Sequence, residues 1–228
     1  VGLLLGLSGC SRDGGRRDIA TPFTIDAVGD SITDGVEVGQ QSAFPRLLQD
    51  KLRQEGFLGA TVRNEGIPGS TLTDWVDWID VYASDDGAIA TIVELGTNDA
   101  LPYHFDPVQV RSEILAIQQE VYDTGATPFF VTPPGICYEH EVVYQAQEEN
   151  TLAIAEIMRE VIPRERVIDA SKQFHEYQDR CTRLMATHNH PNERGHQVIA
   201  DLAYERVAHF LDVTLEAEPG GDPDLPTN

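Results

Sequence analysis

An open parallel α/β sheet with helices on both faces is the fold class predicted for this chain of 228 residues. Two observations predict it. Short runs rich in Ile, Val and Phe alternate with longer segments whose apolar residues recur every three or four positions. That alternation makes parallel strands joined by crossover helices. In addition, the chemically unusual residues fall directly after the strands, where such sheets bind their ligands.

The elements follow in order. Phe23 to Gly29 is a buried strand running into a turn. Ala43 to Glu55 sets Phe44, Leu47, Leu48 and Leu52 at helical spacing. Ala60 to Asn64 is a second strand, and Ala88 to Leu95 a central one. Pro107 to Thr124 is helical through Val110, Ile114, Ile117 and Val121, until Gly125 stops it. Thr127 to Thr132 is a strand ended by Pro133 and Pro134. Val142 to Val161 is a long helix, Arg166 to Asp169 a short strand, and Glu193 to Leu211 a closing helix with Val198, Ile199, Leu202, Val207 and Phe210 inward. The sheet thus has about five strands, in one domain over residues 22–212. Residues 1–21 read as a leader and tether, and 213–228 as an acidic tail rich in Pro and Gly, expected to be disordered.

The formal charge of −22 repels phosphates and offers few cations for counterion release, which excludes nucleic acid as a partner. It also disfavours adsorption to anionic lipid. Leu7-Ser8-Gly9-Cys10 resembles a bacterial lipobox, which implies lipidation of Cys10 and a secreted or membrane-anchored lipoprotein, periplasmic or extracellular. In an oxidising compartment Cys137 and Cys181 are then left to pair or to stay free.

Four segments gather at one edge of a parallel sheet. Gly29-Asp30-Ser31 follows the first strand, Asn64 to Thr71 the second and Gly96-Thr97-Asn98-Asp99 the third, while His190-Pro191-Asn192 precedes the last helix. A serine hydroxyl attacks only when a base removes its proton, and His190 is the candidate base for Ser31. Attack on an ester carbonyl builds charge on oxygen that needs fixed donors. The backbone amides of Ser31 and Gly69 and the side-chain amide of Asn98 are candidates. Glycine at 69 serves either a close approach or a positive φ.

This order of blocks resembles the SGNH hydrolase superfamily, the GDSL-type esterases and lipases, from about Phe23 to Leu211. Within it the chain looks most like the bacterial thioesterase/lysophospholipase/arylesterase group. GDSIT matches the block of the nucleophile, Ser31. NEGIPGST and GTND match the blocks of the oxyanion donors Gly69 and Asn98, and HPNERGHQVIA that of the base, His190. The resemblance implies a flavodoxin-like three-layer α/β/α fold and hydrolysis of carboxylic esters through an acyl-enzyme, without metal or other cofactor. Its pattern has Asp three residues before the histidine, where this chain has Thr187.

Three arrangements are open at Thr187: a backbone carbonyl orients His190 in a Ser–His dyad, a carboxylate from another loop substitutes, or catalysis is weak or absent. The dyad is favoured. Two other functions compete with this one. One is a binding module without turnover in the same crevice. The other is a metal-dependent hydrolase using His188, His190 and His196. The substrate is a small-molecule, carbohydrate or lipid ester. Pro102 to Phe105 and Pro133 to Tyr144 are expected to wall its acyl pocket, with Trp75 and Trp78 near the rim.

Overall fold

The computed structural model describes residues 18–83, 87–137 and 142–216. Its sheet has five strands, all parallel, in the order β2-β1-β3-β4-β5. These are β1 (Phe23–Gly29), β2 (Ala60–Gly66), β3 (Ala90–Glu94), β4 (Thr127–Val131) and β5 (Val167–Ile168). The helices are α1 (Ser31–Asp34), α2 (Phe44–Gln54), α3 (Leu72–Tyr82), α4 (Pro107–Asp123), α5 (Val142–Val161), α6 (Ala170–Glu176), α7 (Arg180–Arg183) and α8 (Glu193–Glu216).

Alternation along the strands splits the core between two faces. Ile25, Ala27, Ile92 and Phe129 pack with Phe44 and Leu48 of α2 and Ile199 and Val207 of α8. Val28, Val93 and Phe130 pack with Trp75 of α3, Ile114 and Ile117 of α4 and Met158 of α5. Sheet and flanking helices therefore make three layers, as the three-layer expectation requires. Strand order reverses at β1, which lies between β2 and β3. The crevice beyond the carboxyl ends of β1 and β3 is the switch point where such folds seat a ligand.

Core contacts extend beyond residues 22–212 at both ends. Ile19 donates its N–H to Gly56 O at 2.8 Å and packs on the core, so the fold begins ahead of Pro22. Helix α8 continues past Leu211 to Glu216, with Leu215 packed against the core. Cys10 and residues 217–228 lie outside the described residues.

Helix α3 is not among the elements expected from sequence, and it corrects the reading of Trp75. Leu72, Trp75 and Ile79 face inward at helical spacing. Thr71 and Asp74 close a capping box, each satisfying an amide of the first turn. Trp75 is fully buried core, and Trp78 packs edge-on against it. Trp75 therefore forms no pocket rim.

Candidate active site

The first functional side chain is placed by burial. At the end of β1, Asp30 caps the short helix α1, accepting Ile32 N–H at 2.8 Å. Ser31 is the first residue of that helix, so its own N–H has no intrahelical acceptor. Gly29 allows this turn to form: a Cβ there would lie 2.2 Å from both Glu94 O and Thr33 Oγ1. The Ser31 side chain is only 8% exposed.

His190, the base expected from sequence, reaches the same point from an irregular loop. His190 Nε2 lies 2.9 Å from Ser31 Oγ. On its other side, His190 Nδ1 lies 3.1 Å from Thr187 Oγ1. That oxygen also accepts the backbone N–H of His190 at 3.1 Å and donates to Asn189 Oδ1 at 3.2 Å. A hydroxyl has one proton and two lone pairs. With its proton on Asn189 and one lone pair taken, it can only accept from the ring. Nδ1 therefore carries the ring proton, and the Nε2 lone pair faces the serine. The group that orients the ring is the Thr187 hydroxyl, not the backbone carbonyl expected from sequence.

Burial holds the His190 pKa below the usual histidine value; the charge of Glu37 opposes this and His188 adds to it. The imidazole is thus a neutral acceptor at neutral pH.

The loop carrying His190 is pinned from outside. Ala186 N–H donates to His190 O at 2.8 Å and Asn192 N–H to Leu184 O at 2.8 Å, folding residues 184–192 back on themselves. Cys137 N–H donates to His188 O at 2.6 Å. Cys137 and Cys181 form a disulfide, with Cα atoms 5.5 Å apart. Behind it, Glu148 accepts from Ile136 N–H at 2.5 Å and from Arg180 at 2.5 Å, and contacts His175 Nε2 at 2.8 Å. Burial pushes Glu148 up, but the bonds from His175 and Ile136 and the charge of Arg180 outweigh it, and Glu148 stays below the ordinary carboxylate range. Sequence reading does not find this anchor, because its members come from four separate segments.

The segments carrying Gly69 and Asn98 are knitted to the turn that carries Ser31. Gly29 O accepts Ile67 N–H at 2.9 Å and Ser70 Oγ–H at 3.1 Å. Asn98 Nδ2 donates to Ser70 O at 2.9 Å and has a longer contact, 3.4 Å, with Asp30 Oδ2. Trp75 Nε1 donates to Ser70 Oγ at 2.9 Å, so the buried indole supports this loop from below. Gly69 has φ +85°, and a Cβ placed there would meet no atom within 4 Å. Of its two readings, the positive φ is the one that applies.

The remaining expectations divide. His196 is fully buried, and its Nδ1 accepts Phe44 N–H at 3.2 Å. Burial and the charge of His190 lower it to about 4. It is a core histidine and does not join His188 and His190. Among the described residues no group of His, Cys, Asp and Glu could hold a metal ion. Of the loops expected around the acyl group, Phe105 packs into the core, whereas Tyr103 is exposed and meets His104 edge-on. Tyr103 and His104 border a cavity of about 290 Å³ whose lining includes Asp99 but none of Ser31, Gly69, Asn98 and His190. Residues 138–141 of the second loop lie outside the described residues.

Comparison with known proteins gives a consistent outcome. The model of the GDSL-like lipase/acylhydrolase family matches residues 27–198. A lipase/acylhydrolase from Enterococcus faecalis superposes with a TM-score of 0.69 at 20% identity, covering 82% of this chain and 96% of that one. The structure of TesA gives 0.67 at 20% identity, covering 82% and 99%. The acetyl xylan esterase AlAXEase gives 0.66 at 18%, covering 81% and 100%. At these identities the structural likeness speaks for the fold. No curated protein matches the chain.

Proposed function

The chain belongs to the GDSL-like lipase/acylhydrolase family and is a carboxylic ester hydrolase; we propose that it works through an acyl-enzyme, with Ser31 as nucleophile and His190 as base. The observation that carries this reading is the 2.9 Å contact between Ser31 Oγ and His190 Nε2, on the ring nitrogen left free by the Thr187 bond.

In the forward step, Nε2 takes the Ser31 proton as Oγ bonds to the ester carbonyl carbon. The carbonyl oxygen gains the charge. The Ser31 and Gly69 amides and the second N–H of Asn98 are its donors. Collapse breaks the bond to the alcohol, which leaves with the proton from Nε2. Water then repeats the sequence on the acyl-enzyme and releases the acid.

Thr187 holds the place an acid would take. It fixes the tautomer but brings no charge to the imidazolium, so the expected enzyme is functional and slower than one with a carboxylate there.

The substrate class we propose is a small ester, with acetylated saccharides ahead of long-chain lipids. This choice is supported by acetyl xylan esterases among the structural neighbours. The Cys137–Cys181 disulfide supports a location outside a reducing cytosol, in keeping with the anchor expected at Cys10.

Hydrolysis of p-nitrophenyl acetate, followed along a chain-length series and beside acetylated xylan, tests the reading. Cleavage is expected to fall with acyl length. Ser31→Ala, with an unchanged circular dichroism spectrum, is expected to be inactive; unaltered hydrolysis by that variant rejects the assignment.

A further inference from the structure

Beneath the nucleophile lie two carboxyl groups for which the reaction as written has no use. Glu94 ends β3 and pairs in register with Gly29 of β1. Both Glu94 and Asp30 are fully buried. Glu94 Oε2 accepts Thr33 Oγ1–H at 3.3 Å, while Oε1 meets no N–H or O–H donor. Asp30 N–H donates to the Glu94 backbone carbonyl at 3.3 Å, so the two buried residues adjoin where β1 and β3 end, and the charge of Asp30 acts on the Glu94 carboxyl. Two carboxyl groups can bond to each other only through a proton, because both are pure acceptors when ionised. Two like charges in one buried site cannot both persist.

From this geometry we infer that Glu94 is a positioning residue for catalysis: it shares one proton with Asp30, leaving a single charge under Ser31 and the second N–H of Asn98 free for the substrate oxyanion. Asn98 Nδ2 has two hydrogens. One is spent on Ser70 O at 2.9 Å, and the other faces Asp30 Oδ2 at the longer distance of 3.4 Å. A fully charged Asp30 would draw that hydrogen to itself, and its field would oppose charge building on the carbonyl oxygen next to Ser31. A proton held between the carboxyls weakens both effects.

The groups around the pair agree with a bound proton. They are the Ile32 amide and Thr33 hydroxyl of α1, the Asn98 amide, and the carboxyl of Asp99 from the loop after β3; none is a cation. Burial pushes Asp30 up to about 7 against the pull of the Ile32 N–H, with Asp99 adding to the rise. Burial and the charge of Asp30 push Glu94 well above its ordinary range.

The inference rests on Asn98 being an oxyanion donor, so the test reads the proton separately from catalysis. Carbon-13 NMR of glutamate-labelled protein is recorded from pH 5 to 10, with Glu94→Gln identifying the resonance. One glutamate carboxyl is expected to stay protonated beyond pH 7 and to be missing from the variant. If every glutamate carboxyl has ionised by pH 6, the shared proton does not exist and the inference fails, whatever the activity.

The second arm follows kcat on p-nitrophenyl acetate. In the wild type it is expected to hold while that resonance holds and to fall with it, by up to about tenfold per pH unit beyond the transition. Glu94→Gln donates an N–H at every pH and is expected to keep its rate across that interval. If the wild-type resonance moves while kcat does not, or if Glu94→Gln falls in parallel with wild type, the positioning role is overturned while the Ser31 assignment stands.

Discussion

The two halves of the proposed catalytic pair are held by different physics. The nucleophile half is buried: Asp30, Ile32 and Thr33 are wholly inaccessible and Ser31 nearly so. It directly follows β1, which pairs on both sides with parallel strands. The base half, Thr187 to His190, is half-buried and has little regular structure, only a bridge between Met185 and Pro191. Its geometry comes from the disulfide, the Glu148 anchor and hydrogen bonds within the loop. One half is fixed by the core that the fold needs in any case. The other is fixed by devices specific to this loop, so it can be loosened without unfolding the sheet.

The changes that break this comparison hardest remove its reacting groups. His190→Ala is expected to cost roughly four to six orders of magnitude in kcat, close to the loss in Ser31→Ala, because the two act as a unit. Asn98→Ala is expected to lower kcat by about 10²–10³-fold, the usual loss for one oxyanion donor. Steady-state kinetics on a short ester checks both, with melting temperature as the control for folding.

Loosening the base half comes next. The disulfide closes a loop of 44 residues, for which the chain-entropy estimate is about 4 kcal/mol. Cys137→Ser combined with Cys181→Ser is expected to lower denaturant stability by up to that amount. It should also lower kcat in the protein that remains folded, since Cys137 N–H holds His188. A variant that loses stability but keeps its full rate would show that the loop needs no clamp.

Thr187→Val removes the acceptor for Nδ1–H and is expected to cost about tenfold in kcat, well short of the loss from removing a triad acid. Thr187→Ser should keep most of the rate. Equal rates for the Val variant and wild type would mean that the ring is oriented some other way.

The smallest effect lies in the pH profile. Burial depresses the pKa of His190, so the ring loses its proton at lower pH than an ordinary histidine. The acid limb of kcat/KM is therefore expected to have its midpoint below 6.5, with activity rising through it as pH rises. A midpoint above 6.5 would place Glu37, whose charge acts in the opposite sense, in control of the ring.

Much of this is legible in the sequence where the information is local. Each motif block follows its own strand or precedes its own helix, so order alone brings Ser31, Asn98 and His190 to one edge. Helices α1, α3, α6 and α7 are the elements that sequence reading misses, and α3 is the longest of them. Leu72, Trp75 and Ile79 have helical spacing, but tryptophans next to a loop with two glycines read equally well as a pocket wall. The Thr187 contact depends on how residues 187–190 turn, which residue type does not reveal. The pairing of Glu94 with Asp30 depends on strand register, Gly29 opposite Glu94, and a linear chain does not display register. The disulfide stays open in the sequence because it turns on the distance between two Cα atoms.

The central claim is that Ser31 becomes the acyl carrier when His190 takes its proton, and covalent trapping tests it most directly. After reaction with a fluorophosphonate, digestion and mass spectrometry should find one adduct, on the peptide containing Ser31, formed much more slowly in His190→Ala. An adduct on another residue, or ester-hydrolysing protein that takes up no label at Ser31, would contradict it.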